Sequence, residues 1–254
     1  MQFLKVILGF LILFAFYHGA EYMMLFKNSP AGFLLLQAAF FIAAYTVARF
    51  QGFGGLGAWG IQFNKKWWRN LFAGLIAGGL VYILYFITSL AFDVERISNM
   101  PSLNKFLPSF FLFTFGTFFS SLSEDVLTRG YVYRHFNGIL APRILLYGSA
   151  ILYVLNHIYR LADGLPVWTY LFVIGIFLMM ALVKTGNLGL TLGLHWSGNI
   201  VYQSTNNIIQ TGPGNNAFAG NYLYIFFLLT LIPVTLYLGT RLTNSFGETI
   251  GREK

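Results

Sequence analysis

Long apolar runs separated by short polar breaks recur eight times along the chain, at 3–20, 31–49, 70–92, 108–130, 143–160, 167–184, 186–206 and 220–241. Each is near the roughly 20 residues that a helix needs to cross a hydrocarbon core. The pattern predicts an all-α polytopic membrane protein of about eight transmembrane helices. The fourth run contains no Pro or paired Gly to stop it and is expected to continue to about Asn137. Lys5 ahead of the first run imitates a signal peptide, but His18-Gly19-Ala20 lacks small residues at both cleavage positions, so this segment is read as an uncleaved span.

One stretch breaks the apolar pattern. After Phe106–Leu122, which carries no charge, the sequence places Glu124, Asp125 and Arg129 in succession. A charge near the centre of a membrane helix costs roughly 2.5 to 3.5 kcal/mol on insertion scales, so these groups need partners. Asp125 and Arg129 are four residues apart and share a helix face, which lets them pair. Glu124 points about 100° away on an ideal helix and is left over. Polar residues able to meet it stand on two later spans, His157 in the fifth and His195 with Asn199 in the seventh. His195 and Asn199 are i and i+4 on one face, and Gly189, Gly193, Ser197 and Gly198 allow another helix or a substrate backbone to come close. A polar intramembrane cavity is the expected result. His18 and His135 lie near span ends, where solvated or interfacial roles are expected.

Composition extends this picture. Of 254 residues, 57% are hydrophobic and 9% charged, with mean hydropathy +0.66, which leaves no separately folding soluble domain. The chain 1–254 is read as a single integral membrane domain with a motif-bearing core at about 108–206. Net charge is +8, yet the basic residues are scattered through short loops without a basic stripe, so no nucleic-acid partner is expected and membrane lipids are the implied surroundings. Counted between spans, twelve Lys and Arg fall on the side of the N-terminus and four (Lys27, Arg96, Lys105, Arg160) on the other. The positive-inside rule then makes both termini cytoplasmic. Absence of cysteine excludes disulfides, thiolate metal ligands and a Cys nucleophile. Gly52–Gly57 reads as a flexible connector, Asn64–Arg69 with Trp67 and Trp68 as an interfacial anchor, and Asn206–Asn216 as a polar loop outside the membrane.

An acid, two imidazoles and a carboxamide suit hydrolysis of a peptide bond. That reaction needs a base for water, donors toward the developing oxyanion and an acid for the leaving amine. Glu124 is suited to be the base, His157 to share that work or hold the water, and His195 and Asn199 to face the oxyanion. Glu124, His157 and His195 would equally serve as ligands of a catalytic Zn²⁺ with an open fourth position, so the cofactor is either none or zinc. No His-Glu-x-x-His occurs, so a metal site would have to be assembled from dispersed helices.

Three motifs in order, Glu124-Asp125-x-x-x-Arg129, Tyr153-x-x-x-His157 and His195-x-x-x-Asn199, resemble the signature of the CPBP family of intramembrane proteases, which comprises CAAX prenyl endopeptidases of the Ras-converting type and bacteriocin-processing or immunity proteins. The family pattern has Glu where this chain has Asp125, and Phe where it has Tyr153. By this resemblance Glu124 activates water with help from His157, His195 and Asn199 stabilise the oxyanion, and Asp125 and Arg129 support them. The implied substrate is a peptide or lipidated protein, cut near the C-terminus of a prenylated or membrane-associated chain. The resemblance also implies a bacterial plasma membrane, and the cavity is expected to be accessible from the cytoplasm. Two other classes remain open on the residues alone: a non-enzymatic binding or immunity protein on the same fold, and a transporter or proton relay, which the lack of internal duplication and broken helix pairs disfavours.

Overall fold

The computed structural model describes residues 2–250, with side chains described for 3–243; Arg252 and Lys254, counted above toward the basic face, lie outside the described residues. Among the described residues, apolar composition and unbroken helical propensity yield nine α-helices: α1 (Gln2–Leu25), α2 (Pro30–Phe50), α3 (Lys65–Ala91), α4 (Leu103–Asp125), α5 (Tyr131–Phe136), α6 (Pro142–Asn156), α7 (Leu165–Thr185), α8 (Leu188–Gln203) and α9 (Gly220–Ile250). A π-turn, Val126–Gly130, joins α4 to α5, so the fourth rod runs on to Phe136 as its sequence predicts. Nine helices thus make eight rods. Six are long and apolar enough to cross a membrane, whereas α6 and α8 fall short, with 15 and 16 residues. These two carry the motif histidines, and α8 is buried from Leu188 to His195, surrounded by protein where a spanning helix would meet lipid. A belt of exposed apolar side chains, including Leu35, Ile42, Ile76, Phe111 and Tyr237, faces outward on the longer helices.

Close helix approach fixes the arrangement around α8. Gly74 of α3 meets Gly193 of α8 and Gly78 meets Ser197, while Gly189 passes against Trp67 and Asn70 of α3, the small-residue approach expected from the spacing on α8. A Cβ on Gly74 would lie 2.6 Å from the Leu190 carbonyl oxygen, and one on Gly193 would strike the carbonyl of Leu71. On its other sides α8 packs against α4 and α7. Helix α7 is enclosed by α6, α8 and α9, with Val173 to Met179 all buried.

The two ends of the bundle differ. At the end holding the N-terminus of α1, Gln51 Nε2 donates to the Lys5 carbonyl at 2.9 Å and to the Tyr131 hydroxyl at 2.6 Å, and the Tyr131 hydroxyl donates to the Val6 carbonyl at 2.7 Å. The glycine-rich connector is ordered there: a 3-10 turn, Leu56–Trp59, carries a fully buried Trp59 whose Nε1 donates to the Ala44 carbonyl at 2.9 Å. Gly55, at φ 128°, allows the chain to enter that turn. At the opposite end, β1 (Glu95–Ile97) pairs antiparallel with β2 (Thr211–Pro213) and ties the α3–α4 loop to the α8–α9 loop. His18 departs from the expectation of a solvated or interfacial position. It is 5% exposed because the segment after α6 packs over it, with Tyr159 edge-on to its ring and Glu21 Oε2 2.9 Å from its Nδ1. His135 stays partly exposed, 3.0 Å from Gln51 Oε1.

The α3–α8 contact makes a testable demand. Gly193→Leu is expected to lose about 1–3 kcal/mol of stability through overpacking and to lower the unfolding temperature in detergent. Gly79→Leu, on the same helix as Gly74 but facing open space, should leave it unchanged.

Candidate active site

The end of α4 and the π-turn after it bury a polar series in sequence: Ser121, Ser123, Glu124, Asp125, Thr128 and Arg129. The π-turn widens the helix here, and side chains occupy the carbonyls it exposes. Thr128 Oγ1 donates to the Glu124 carbonyl at 2.7 Å, and Ser149 Oγ of α6 donates to the Thr128 carbonyl at 2.9 Å. Arg129, fully buried, donates through Nη1 to Asp125 Oδ1 at 2.7 Å and to Thr128 Oγ1 at 3.0 Å. Its guanidinium carbon lies 4.3 Å from the centre of the Tyr153 ring, so the aromatic face covers the cation. Gly130 then passes directly against the Trp59 carbonyl, leaving no room for a side chain.

Glu124, without a partner in its own helix, is met from two others. Asn156 Nδ2 donates to its Oε1 at 3.0 Å. His195 Nε2 lies 3.5 Å from Oε2, and His157 Nδ1 lies 3.8 Å from Oε1. The His195 ring bridges both acids, because its Nδ1 is 3.1 Å from Asp125 Oδ1. A carboxylate only accepts, so Nδ1 carries the hydrogen, and Nε2 carries one as well only when the ring is the imidazolium. Asn199 stands one turn beyond, with Nδ2 donating to Ser121 Oγ at 2.8 Å. The structure therefore gathers Glu124, Asp125, Arg129, His157 and His195 in one contiguous network, and holds Asn199 beside it through Ser121.

His157 sits at the end of α6 and not within a span. Its ring Nδ1 donates to the Tyr153 carbonyl at 2.8 Å, the carbonyl that its own backbone N–H would take in a continuing helix; that N–H turns to Val154 instead. The side chain thus ends the helix and leaves its Nε2 with a free lone pair. Asn156, the residue most directly bonded to Glu124, is missing from the sequence-based set. Its only signal was a carboxamide next to His157 at the end of an apolar run.

Nδ1 of each histidine is engaged, by the Tyr153 carbonyl and by Asp125, which is also how a metal-binding imidazole is oriented and leaves Nε2 as its ligand atom. Asn156 occupies one Glu124 oxygen, however, and among the described residues no group of three or more His, Asp or Glu stands at metal-ligand spacing, so the arrangement contains no preformed metal site.

His157, His195 and Asn199 border a cavity of about 560 Å³. Tyr82, Tyr153, Tyr170 and Tyr224 add aromatic walls, and Glu124, 5% exposed, stands behind the histidines and does not line it as expected. The cavity reaches Glu95, Arg160 and Thr211, so it opens at the β-ribbon end of the bundle. That end carries the four basic residues assigned to the non-cytoplasmic side. A cytoplasm-accessible cavity and a cytoplasmic N-terminus therefore exclude one another in this fold.

Fold and site together define an all-α polytopic membrane protein with a carboxylate–imidazole–amide network in its interior. Residues 105–201, less than half of the chain, match a family model described as type II CAAX prenyl endopeptidase, Rce1-like. The match agrees with the resemblance carried by the three motifs and supports, at family level, an intramembrane endopeptidase. Neither the curated proteins nor the solved structures give a match.

Removing one member of the buried pair isolates its role. Arg129→Met is expected to destabilise by about 3–5 kcal/mol, because it strands Asp125 without its cation. The double change Arg129→Met with Asp125→Leu should cost less than the two single changes added together, read as unfolding free energies in one detergent.

Proposed function

We propose that the network hydrolyses a peptide bond of a membrane-associated or exported chain with a water activated by Glu124, without a metal. The observation that supports this reading is a buried carboxylate touched by Asn156, His157 and His195 behind the wall of a cavity of the size of a small-ligand site. Water in the cavity attacks the scissile carbonyl carbon. Its proton passes to Glu124 through the His157 ring, which borders the cavity and lies 3.8 Å from Glu124 Oε1. The tetrahedral oxyanion is met by the second N–H of the Asn199 carboxamide and by the His195 ring. Collapse breaks the C–N bond, and the proton held by Glu124 or His157 goes to the departing amine, so one water is consumed and one acid and one amine are released.

The assigned parts divide the work. Asn156 fixes one oxygen of Glu124 and leaves the other toward the histidines. Asp125, held by Arg129, fixes the His195 ring as second-layer carboxylates do for catalytic histidines. Asp125 and Arg129 are positioning residues, since the network separates them from the cavity.

Glu124→Gln keeps the size of the side chain and the acceptor for Asn156 but removes the base. It is expected to lower peptide cleavage by at least about 10²-fold with an unchanged unfolding temperature. Cleavage retained at the wild-type rate would remove Glu124 from the reaction. Cleavage should also survive prolonged dialysis against a chelator, and loss of activity restored by Zn²⁺ would defeat the metal-free reading. Asn156→Ala is expected to lower kcat by up to about 10²-fold with little change in KM, because it misaligns the base without altering the cavity wall. A proportionate rise in KM would place Asn156 in substrate binding instead.

A further inference from the structure

We infer that the cavity faces away from the cytoplasm, and that its substrate is an exported peptide or the outward segment of a membrane protein rather than a tail presented in the cytoplasm. The substrate half of this inference rests on the peptidase reading above; the orientation half does not.

Three observations carry it. The cavity extends to the β-ribbon end of the bundle, past Glu95, Arg160, Thr211 and Asn221, with His157, His195 and Asn199 deeper inside. At the other end Trp59, Tyr131 and the Gln51 hydrogen bonds stand over the network, and the smaller cavity there, lined by Trp59, Gly130 and Tyr133, shares no residue with the first. Basic residues then separate the two ends. Lys5, Arg49, Lys65, Lys66, Arg69, Arg134, Arg143, Lys184 and Arg241 lie at the Trp59 end, and only Lys27, Arg96, Lys105 and Arg160 at the mouth. Arg129, fully buried against Asp125, belongs to neither count. Loops this short obey the positive-inside bias, which puts the Trp59 end in the cytoplasm.

Charge pairing at the mouth deepens the contrast. Arg96 is held by both oxygens of Asp93, at 2.5 and 2.6 Å, and its hydrogen bonds keep the Asp93 carboxyl below the usual carboxylate range. Arg160 is held by Asp163 at 3.0 Å, and Glu95 accepts from the Tyr85 hydroxyl at 3.0 Å. Two of the four cations at the mouth are thereby neutralised within the protein. A rim whose charges are paired within the protein, leading into tyrosine walls, suits an uncharged extended peptide better than a strongly charged one.

The chain has no cysteine, so single-cysteine labelling reads the orientation without background. Ala141 and Ala162 are exposed at opposite ends of α6, outside the network. In intact cells a membrane-impermeant maleimide is expected to label Ala162→Cys, and to label Ala141→Cys only after permeabilisation. The reverse pattern overturns the inference. The substrate half is tested in proteoliposomes of uniform orientation, established by the same labels, with a peptide library supplied on one side at a time. Cleavage dependent on Glu124 is expected only from the Ala162 side. Cleavage only from the Ala141 side overturns the substrate assignment while leaving the peptidase reading intact. Cleavage from neither side overturns the peptidase reading and the substrate assignment with it, while the labelling still decides the orientation.

Discussion

Arg129 has no exposed surface, in a bundle whose outer belt is hydrocarbon-like, and the neighbourhood of the site is built to tolerate that one cation. Asp125 neutralises it from the preceding turn, Thr128 adds a hydroxyl, and Tyr153 from α6 lays its ring face over the guanidinium. Each compensation draws another element inward. The Tyr153 position brings the end of α6 against α4, and with it Asn156 and His157. The second interaction of Asp125 Oδ1, with His195, brings in α8. The ion pair therefore does more than offset its own desolvation: it is the junction at which three helices meet, and Glu124 is placed where they meet.

The same junction explains why the site needs short helices. α6 stops when the His157 ring takes the Tyr153 carbonyl, and α8 is enclosed by α3, α4 and α7. Enclosure requires close backbones, which the glycines of α3 and α8 permit, and close backbones leave no gap for lipid beside the polar groups. The π-turn after Asp125 belongs to this logic. A wider turn displaces the backbone at the ion pair, and the hydroxyls of Thr128 and Ser149 meet the carbonyls it releases. Such bulges recur at functional sites because they re-aim side chains within a continuous helix.

How much of this the sequence disclosed depended on the range of each interaction. The pairing of Asp125 with Arg129 is local, set by helical spacing alone, and the unmet Glu124 followed by subtraction. Gly189 and Gly193 showed that something approaches α8 but not that it is α3. His157 was expected inside a span, since nothing in the apolar run reveals that its own ring would end the helix. Asn156 escaped notice because a single carboxamide has many bland uses, and only the fold shows its distance to Glu124. His18 was misjudged for a related reason: its burial is produced by Tyr159, 141 residues later in the chain. Hydropathy identifies which segments enter the membrane, but not which of them other helices will surround.

Loop charge and interior access are set by different parts of the fold. Counting Lys and Arg is a statement about loops, and it requires no knowledge of the interior. The side from which the interior is reached is a statement about packing, fixed by which helix ends splay and which are plugged. Here the plug, Trp59 seated on Gly130, sits at the basic end, one turn beyond the residues that bind Arg129. The close contact that leaves no room for a side chain at Gly130 thus also covers Glu124 from the basic end of the bundle. A peptide arriving from that side would have to displace a fully buried indole, whereas one arriving at the β-ribbon end meets an open cavity. The network and its access therefore share one cause, the tight seating of the π-turn, which holds Glu124 in place and leaves the cavity open on the other face.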